Sequence, residues 1–228
     1  MAEDTATARP VATISRTAAL LSFAGAATFL VLLAALHFIK PELDPSWRMV
    51  SEYEIGDYGW IMVLAFLSLA FSCATLLVAI RSQTRTTGGK IGLALLMVSG
   101  LGITIAAIFT ADPITASNDE LTTHGTLHGA GALLGIPTFP VAATLISLSL
   151  VRKQEWSPAR RSLLWTAGLI WISLLAFVVS MVLMLPQSGG EFGPDVLIGW
   201  PNRLFVAAMS AWLMVVARRA ARLSGQSI

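Results

Sequence analysis

The run LLWTAGLIWISLLAFVVSMVLML, residues 163–185, holds 23 consecutive positions without a charged side chain. A bilayer core of about 30 Å is crossed by roughly 20 helical residues, so this run is long enough to span one. Five similar runs accompany it: Thr17–Phe38, Tyr58–Ile80, Ile91–Ala111, Gly125–Val151 and Val196–Ala217. The breaks are His37, His128 and Arg203, each near one end of its run. Lipid offers no partner for a free amide, so each run must be a helix or part of a closed barrel. Barrel strands alternate in polarity over about ten residues, and these runs do not. The fold class read here is all-α: a polytopic membrane protein with a six-transmembrane-helix bundle. The helices are placed at 17–39, 58–81, 90–111, 125–151, 162–186 and 196–218. They form a membrane domain over 17–219, between a disordered Ala- and Thr-rich tail (1–16) and a second tail (220–228).

Composition agrees. Of 228 residues, 55% are hydrophobic and 12% charged, with a mean hydropathy of +0.74. Soluble domains carry about 25% charged residues. The net charge of +2 shows none of the basic concentration that a nucleic-acid reader needs. One cysteine, Cys73, excludes an internal disulfide framework and any cysteine-rich metal site.

Charge placement predicts orientation. Twelve of the fifteen Lys and Arg residues fall before helix 1, after helix 6, or in the loops between helices 2 and 3 and helices 4 and 5. The positive-inside rule makes that side cytoplasmic, with both termini there. Lys40, Arg48 and Arg203 lie on the other face with ten of the thirteen acids. Trp47, Trp60 and Trp200 are read as the outer aromatic belt, Trp156 and Trp165 as the inner one. Helix 1 is too long for a secretory h-region and reads as an uncleaved anchor.

The chemistry-bearing residues gather at the outer end. His37 closes helix 1, and His124 and His128 open helix 4 at a spacing that puts both rings on one face. Asp112, ending helix 3, sits at a similar depth. Three imidazoles and a carboxylate make a zinc environment, with His37, Asp112, His124 and His128 as candidate ligands. Arg203, placed about two turns into helix 6, must snorkel or pair, with Asp112, Glu52 or Glu54 as expected partner. The first outer loop, Lys40 to Trp60, is rich in turn and aromatic residues. Asp44 or Ser46 is expected to cap a short interfacial helix through Tyr53, with Gly56 and Gly59 giving sharp entry to helix 2. Gly125, Gly129, Gly131 and Gly135 predict close helix packing along helix 4, whose Pro137 and Pro140 favour a kink.

Four segments carry a family resemblance: Val50-Ser51-Glu52-Tyr53-Glu54-Ile55-Gly56-Asp57-Tyr58-Gly59-Trp60, Phe109-Thr110-Ala111-Asp112, His124-Gly125-Thr126-Leu127-His128 and Asn202-Arg203-Leu204. From about Phe23 to Met214 the chain resembles the prokaryotic membrane family catalogued as domain of unknown function 998. That resemblance implies six helices and no defined reaction. The three histidines and Asp112 are similar in type to the zinc set of alkaline ceramidases and progestin–adiponectin receptors. Those have seven helices and a Ser-x-x-x-His element, and here Leu33 stands four before His37.

Three functions compete at this stage. One is a metal-dependent hydrolase acting on a lipid or amide at the outer leaflet. It would use zinc, with Glu52 as general base and Arg203 as substrate anchor. The alternative is a non-enzymatic carrier, sensor or partner subunit in which the cluster is structural. A third is a single outer haem on His37 and one helix 4 histidine. Membrane lipids are the expected partners, with a lipid or small-molecule ligand at the outer face, and the cell membrane is the expected location.

Overall fold

The computed structural model describes residues 15–225, so nearly all of the expected N-terminal tail and the last three residues lie outside the described part. Six long helices follow one another: α1 (Arg16–Ile39), α2 (Gly59–Ile80), α3 (Thr87–Ile108), α4 (Thr123–Leu150), α5 (Arg160–Met184) and α6 (Gly199–Ser224). All six are long and apolar enough to cross a membrane. Among the described residues there is no strand.

Hydroxyl caps set three of the helix starts. Ser15, Thr86 and Thr122 accept from the backbone N–H of Ala18, Gly89 and Gly125, at 3.3, 3.0 and 2.9 Å. Hydropathy carries no information on such caps, and α3 and α4 accordingly start four and two residues earlier than their apolar runs. At the other end α3 stops at Ile108 rather than 111, because Phe109 turns extended and Pro113 disfavours helix at Asp112. α6 begins at Gly199, three residues late, so Arg203 stands one turn inside it.

Each helix packs on its sequence neighbours and α6 returns to α1, closing a ring; α6 also touches α2 and α4. Consequently α6 is the most buried span and α5 the least. Lipid gives helices no hydrophobic reason to associate, so close backbone approach and polar ties do the work. α3 and α4 cross at Gly102 and Gly131, where a Cβ on either would stand 2.6 Å from the other's carbonyl oxygen. Gly25 of α1 sits as tightly on the Ser68 carbonyl of α2. The sequence expectation fails at Gly129, which faces open space. Pro137 and Pro140 lie inside an unbroken α4. Ser22 and Ser72 link α1 to α2 at 3.1 Å, and the Trp212 indole donates to the Ser147 hydroxyl at 2.9 Å across α6 and α4.

One belt assignment is corrected. Trp60, Trp165 and Trp200 are exposed as a belt requires, but Trp156 is fully buried in the main core, on a short 3-10 helix (Gln154–Ala159) folded under the bundle.

Candidate functional site

The loop between α1 and α2 folds back over the bundle and is seated by one left-handed glycine and two close approaches. Gly56 takes a left-handed φ of 72°, which a side chain would strain. A Cβ on Gly59 would lie 2.0 Å from the Glu54 carbonyl oxygen, and one on Gly199 would lie 2.4 Å from that of Pro45. The loop's ordered centre is a 3-10 helix, Val50–Glu54, capped by Met49; Glu52 accepts the Met49 N–H at 3.0 Å. The expected cap is thus corrected: Asp44 instead takes the Ser46 N–H two residues on, at 2.8 Å.

Three residues per turn point Glu52, Tyr53 and Glu54 in three directions. Tyr53 faces α1 and α6, where its hydroxyl receives the Arg203 guanidinium at 3.2 Å. Glu52 takes the Arg48 guanidinium at 2.7 Å and the Ile114 N–H at 3.1 Å. Glu54 takes the Ala111 N–H at 3.2 Å and lies 3.3 Å from His128 Nδ1. The 3-10 helix therefore ties the α3–α4 connection to the α1–α6 pair. Lys40, buried at the end of α1, donates to the Tyr53 and Ile55 carbonyls, and Asn202 of α6 accepts the Val50 N–H at 3.0 Å.

Arg203 is buried, and none of the carboxylates expected of it lies within ion-pairing distance. Its partners are neutral: His37 Nε2 at 2.8 Å, the Arg48 carbonyl at 2.6 Å and the Gly199 carbonyl at 3.2 Å, besides Tyr53. Those contacts fix the His37 ring. Arginine only donates and the Leu33 carbonyl, 2.7 Å from Nδ1, only accepts. His37 is therefore the neutral Nδ1–H tautomer with its lone pair facing the guanidinium.

His128 has a different task. Its Nδ1 lies 2.9 Å from the carbonyls of Ala106 and Phe109, at the end of α3 where backbone acceptors lack helical partners. Asp112 does the converse for α4, accepting the Thr122 N–H and hydroxyl at 2.8 Å each, beside the helix's first turn. α4 thus caps the end of α3, and the segment after α3 holds the Thr122 cap of α4. His124 is exposed, with its ring edge-on to Phe109 at 5.4 Å.

The six sequence candidates consequently divide. His37 and Arg203 form one group, Glu52 sits with Arg48, and His128 and Asp112 flank the α3–α4 connection. Among the described residues no three His, Cys, Asp or Glu side chains stand together as a metal-holding group. Lys40, Tyr53 and Asn202 were not among the sequence candidates, and Glu54 was expected only as a partner of Arg203. All but Lys40 lie in the segments that carried the family resemblance, which was the available signal.

A family model described as Protein of unknown function (DUF998) matches residues 23–219. No curated protein and no solved structure matches the chain.

Proposed function

The chain belongs to that family, and we propose that it works without catalysis, as a membrane scaffold or partner subunit whose outer polar layer is a structural clasp. The observation that carries this reading is the use of the His37 lone pair by Arg203. A histidine that holds zinc must be neutral, with a free lone pair aimed at the metal. In this chain that lone pair receives a guanidinium, and both Asp112 oxygens hold Thr122. Glu52 is likewise bound to Arg48, Met49 and Ile114 rather than open to a water. Each of these groups joins two segments of the outer layer, which is what a clasp requires.

The outer-face zinc hydrolase requires His37, Asp112 and His128 to leave these contacts, and the single haem requires His37 to do so. Metal analysis and an absorption spectrum of detergent-purified protein, beside a His124→Ala/His128→Ala double variant, separate the readings. The clasp predicts neither stoichiometric zinc nor a Soret band in the parent protein, and a variant of lower thermal stability. Near-stoichiometric zinc lost in the variant would establish the hydrolase site instead. The same asymmetry of Lys and Arg supports cytoplasmic termini in the cell membrane.

A further inference from the structure

We propose that the basic end of α5 binds the headgroup of an anionic glycerophospholipid, with its phosphate between Arg160 and Arg161 and its upper acyl chain beside Trp165. The face opposite the clasp carries Glu155 as its one acid among the described residues. That carboxylate lies 3.9 Å from the Lys153 ammonium, and its backbone carbonyl receives Arg219. Lys153 also donates to the Gln83 side chain at 2.9 Å. Arg160 and Arg161 are exposed, and among the described residues no carboxylate pairs with either. Among the described residues nothing neutralises the pair, which leaves both guanidiniums open to an anion at the membrane surface.

The surface there is shaped as well as charged. A shallow depression of about 490 Å³ lies among Pro158, Arg161, Ser162 and Trp165. A second, of about 420 Å³, lies among Ser157, Arg160, Arg161, Leu164 and Trp165. Arg161 and Trp165 line both, so the two depressions are the sides of one shallow saddle. Residues four apart on a helix stack along one face, which sets Trp165 directly on the lipid side of Arg161. Trp165 is 66% exposed. Further along this stripe Gly168 leaves open space, and Ile172, Leu175 and Val179 are exposed on the helix least covered by the bundle. The order along α5 is cation, indole, notch and aliphatic wall, matching phosphate, glycerol and acyl chain. Phosphatidylcholine carries its own ammonium beside the phosphate, so the unpaired arginines favour a headgroup with net negative charge.

Native mass spectrometry of the full chain from mixed micelles, with phosphatidylglycerol against phosphatidylcholine, reads this directly. Two guanidiniums near the surface, at about 1 kcal/mol each, predict roughly tenfold or greater preferential retention of phosphatidylglycerol. Arg160→Gln/Arg161→Gln should abolish that preference and Arg160→Lys/Arg161→Lys should keep most of it. Arg85→Gln/Lys90→Gln, on the same face, should leave it unchanged, and Trp165→Ala should weaken retention of both lipids. Equal retention of the two lipids by the parent protein overturns the proposal, whether or not the variants fold. So does an equal loss in the Arg85/Lys90 control, or displacement of the lipid by inorganic phosphate, which would mark a soluble-anion site.

Discussion

Arg203 places its guanidinium against a histidine lone pair, a phenol and two carbonyls, and no carboxylate neutralises it. Its value is directional: one planar fork reaches α1, the loop between α1 and α2, and its own helix together. Arg203→Ala leaves His37 Nε2 and the Arg48 carbonyl without that donor. Hydrogen bonds to charged groups contribute about 1.5–3 kcal/mol each. Two such bonds at roughly 2–4 °C per kcal/mol for a chain of this size give an expected melting temperature lower by about 6–24 °C in detergent. Arg203→Lys should recover little of it, because an ammonium cannot replace the fork. An Arg203→Ala protein melting with the parent would remove the clasp from the account. At the rim, the backbone N–H and hydroxyl of Ser117 donate to Glu120, each at 2.9 Å, and hold its carboxyl below the usual range. A lowered folded-state pKa adds stability that is present above the ordinary value and lost as pH falls through the lowered one. The Ser117–Glu120 turn should therefore stay closed through the ordinary glutamate range and open only below it. Hydrogen exchange at the Ser117 amide, followed downward from neutral pH, checks this, and Glu120→Gln should remove the step.

Between α3 and α4 the caps are exchanged, with His128 serving the end of α3 and Asp112 the start of α4. That arrangement depends on Gly125, where a Cβ would stand 1.9 Å from an Asp112 carboxylate oxygen. Gly125→Ala must displace the carboxylate, and losing a helix cap costs about 1 kcal/mol before any strain is added. Gly129→Ala, one turn on, meets nothing within 4 Å and gains helix propensity of up to about 1 kcal/mol. Opposite shifts in melting temperature from these two substitutions on one helix are the expected result; equal shifts would refute the exchanged caps. The contrast also marks what could be read without coordinates. Charge-free runs were enough for six helices, since length and hydropathy decide whether a segment crosses lipid. Helix ends were less legible because Thr86, Thr122 and Pro113 set them, and these residues do not alter hydropathy. The four glycines of helix 4 read alike in sequence, yet only their neighbours separate Gly131 in a backbone crossing from Gly129 in open space. Arg203 was found, but its partners were not, because the directions of Glu52, Tyr53 and Glu54 follow from the turn of one 3-10 helix.

For the whole molecule, ring closure explains why the span with the lowest mean hydropathy, α6, is also the most buried. Contacts to α1, α2, α4 and α5 shield it, so Asn202 and Arg203 are tolerated where lipid would reject them. An even number of spans places the two ends of the bundle's chain on one side, and loop charge should decide which side. The loop after α4 and the first turn of α5 carry Arg152, Lys153, Arg160 and Arg161, whereas the loop after α5 carries Glu191 and Asp195 and no Lys or Arg. Basic residues in short loops resist translocation and acids contribute little, so the first of these should remain cytoplasmic. Cys73 is buried, which leaves the parent protein a quiet background for thiol labelling. A membrane-impermeant maleimide applied to intact cells should modify Gln187→Cys and spare Ser157→Cys until the membrane is opened. The reverse pattern would invert the orientation, and would put the arginine saddle of α5 in the outer leaflet with the His37–Arg203 clasp facing the cytoplasm.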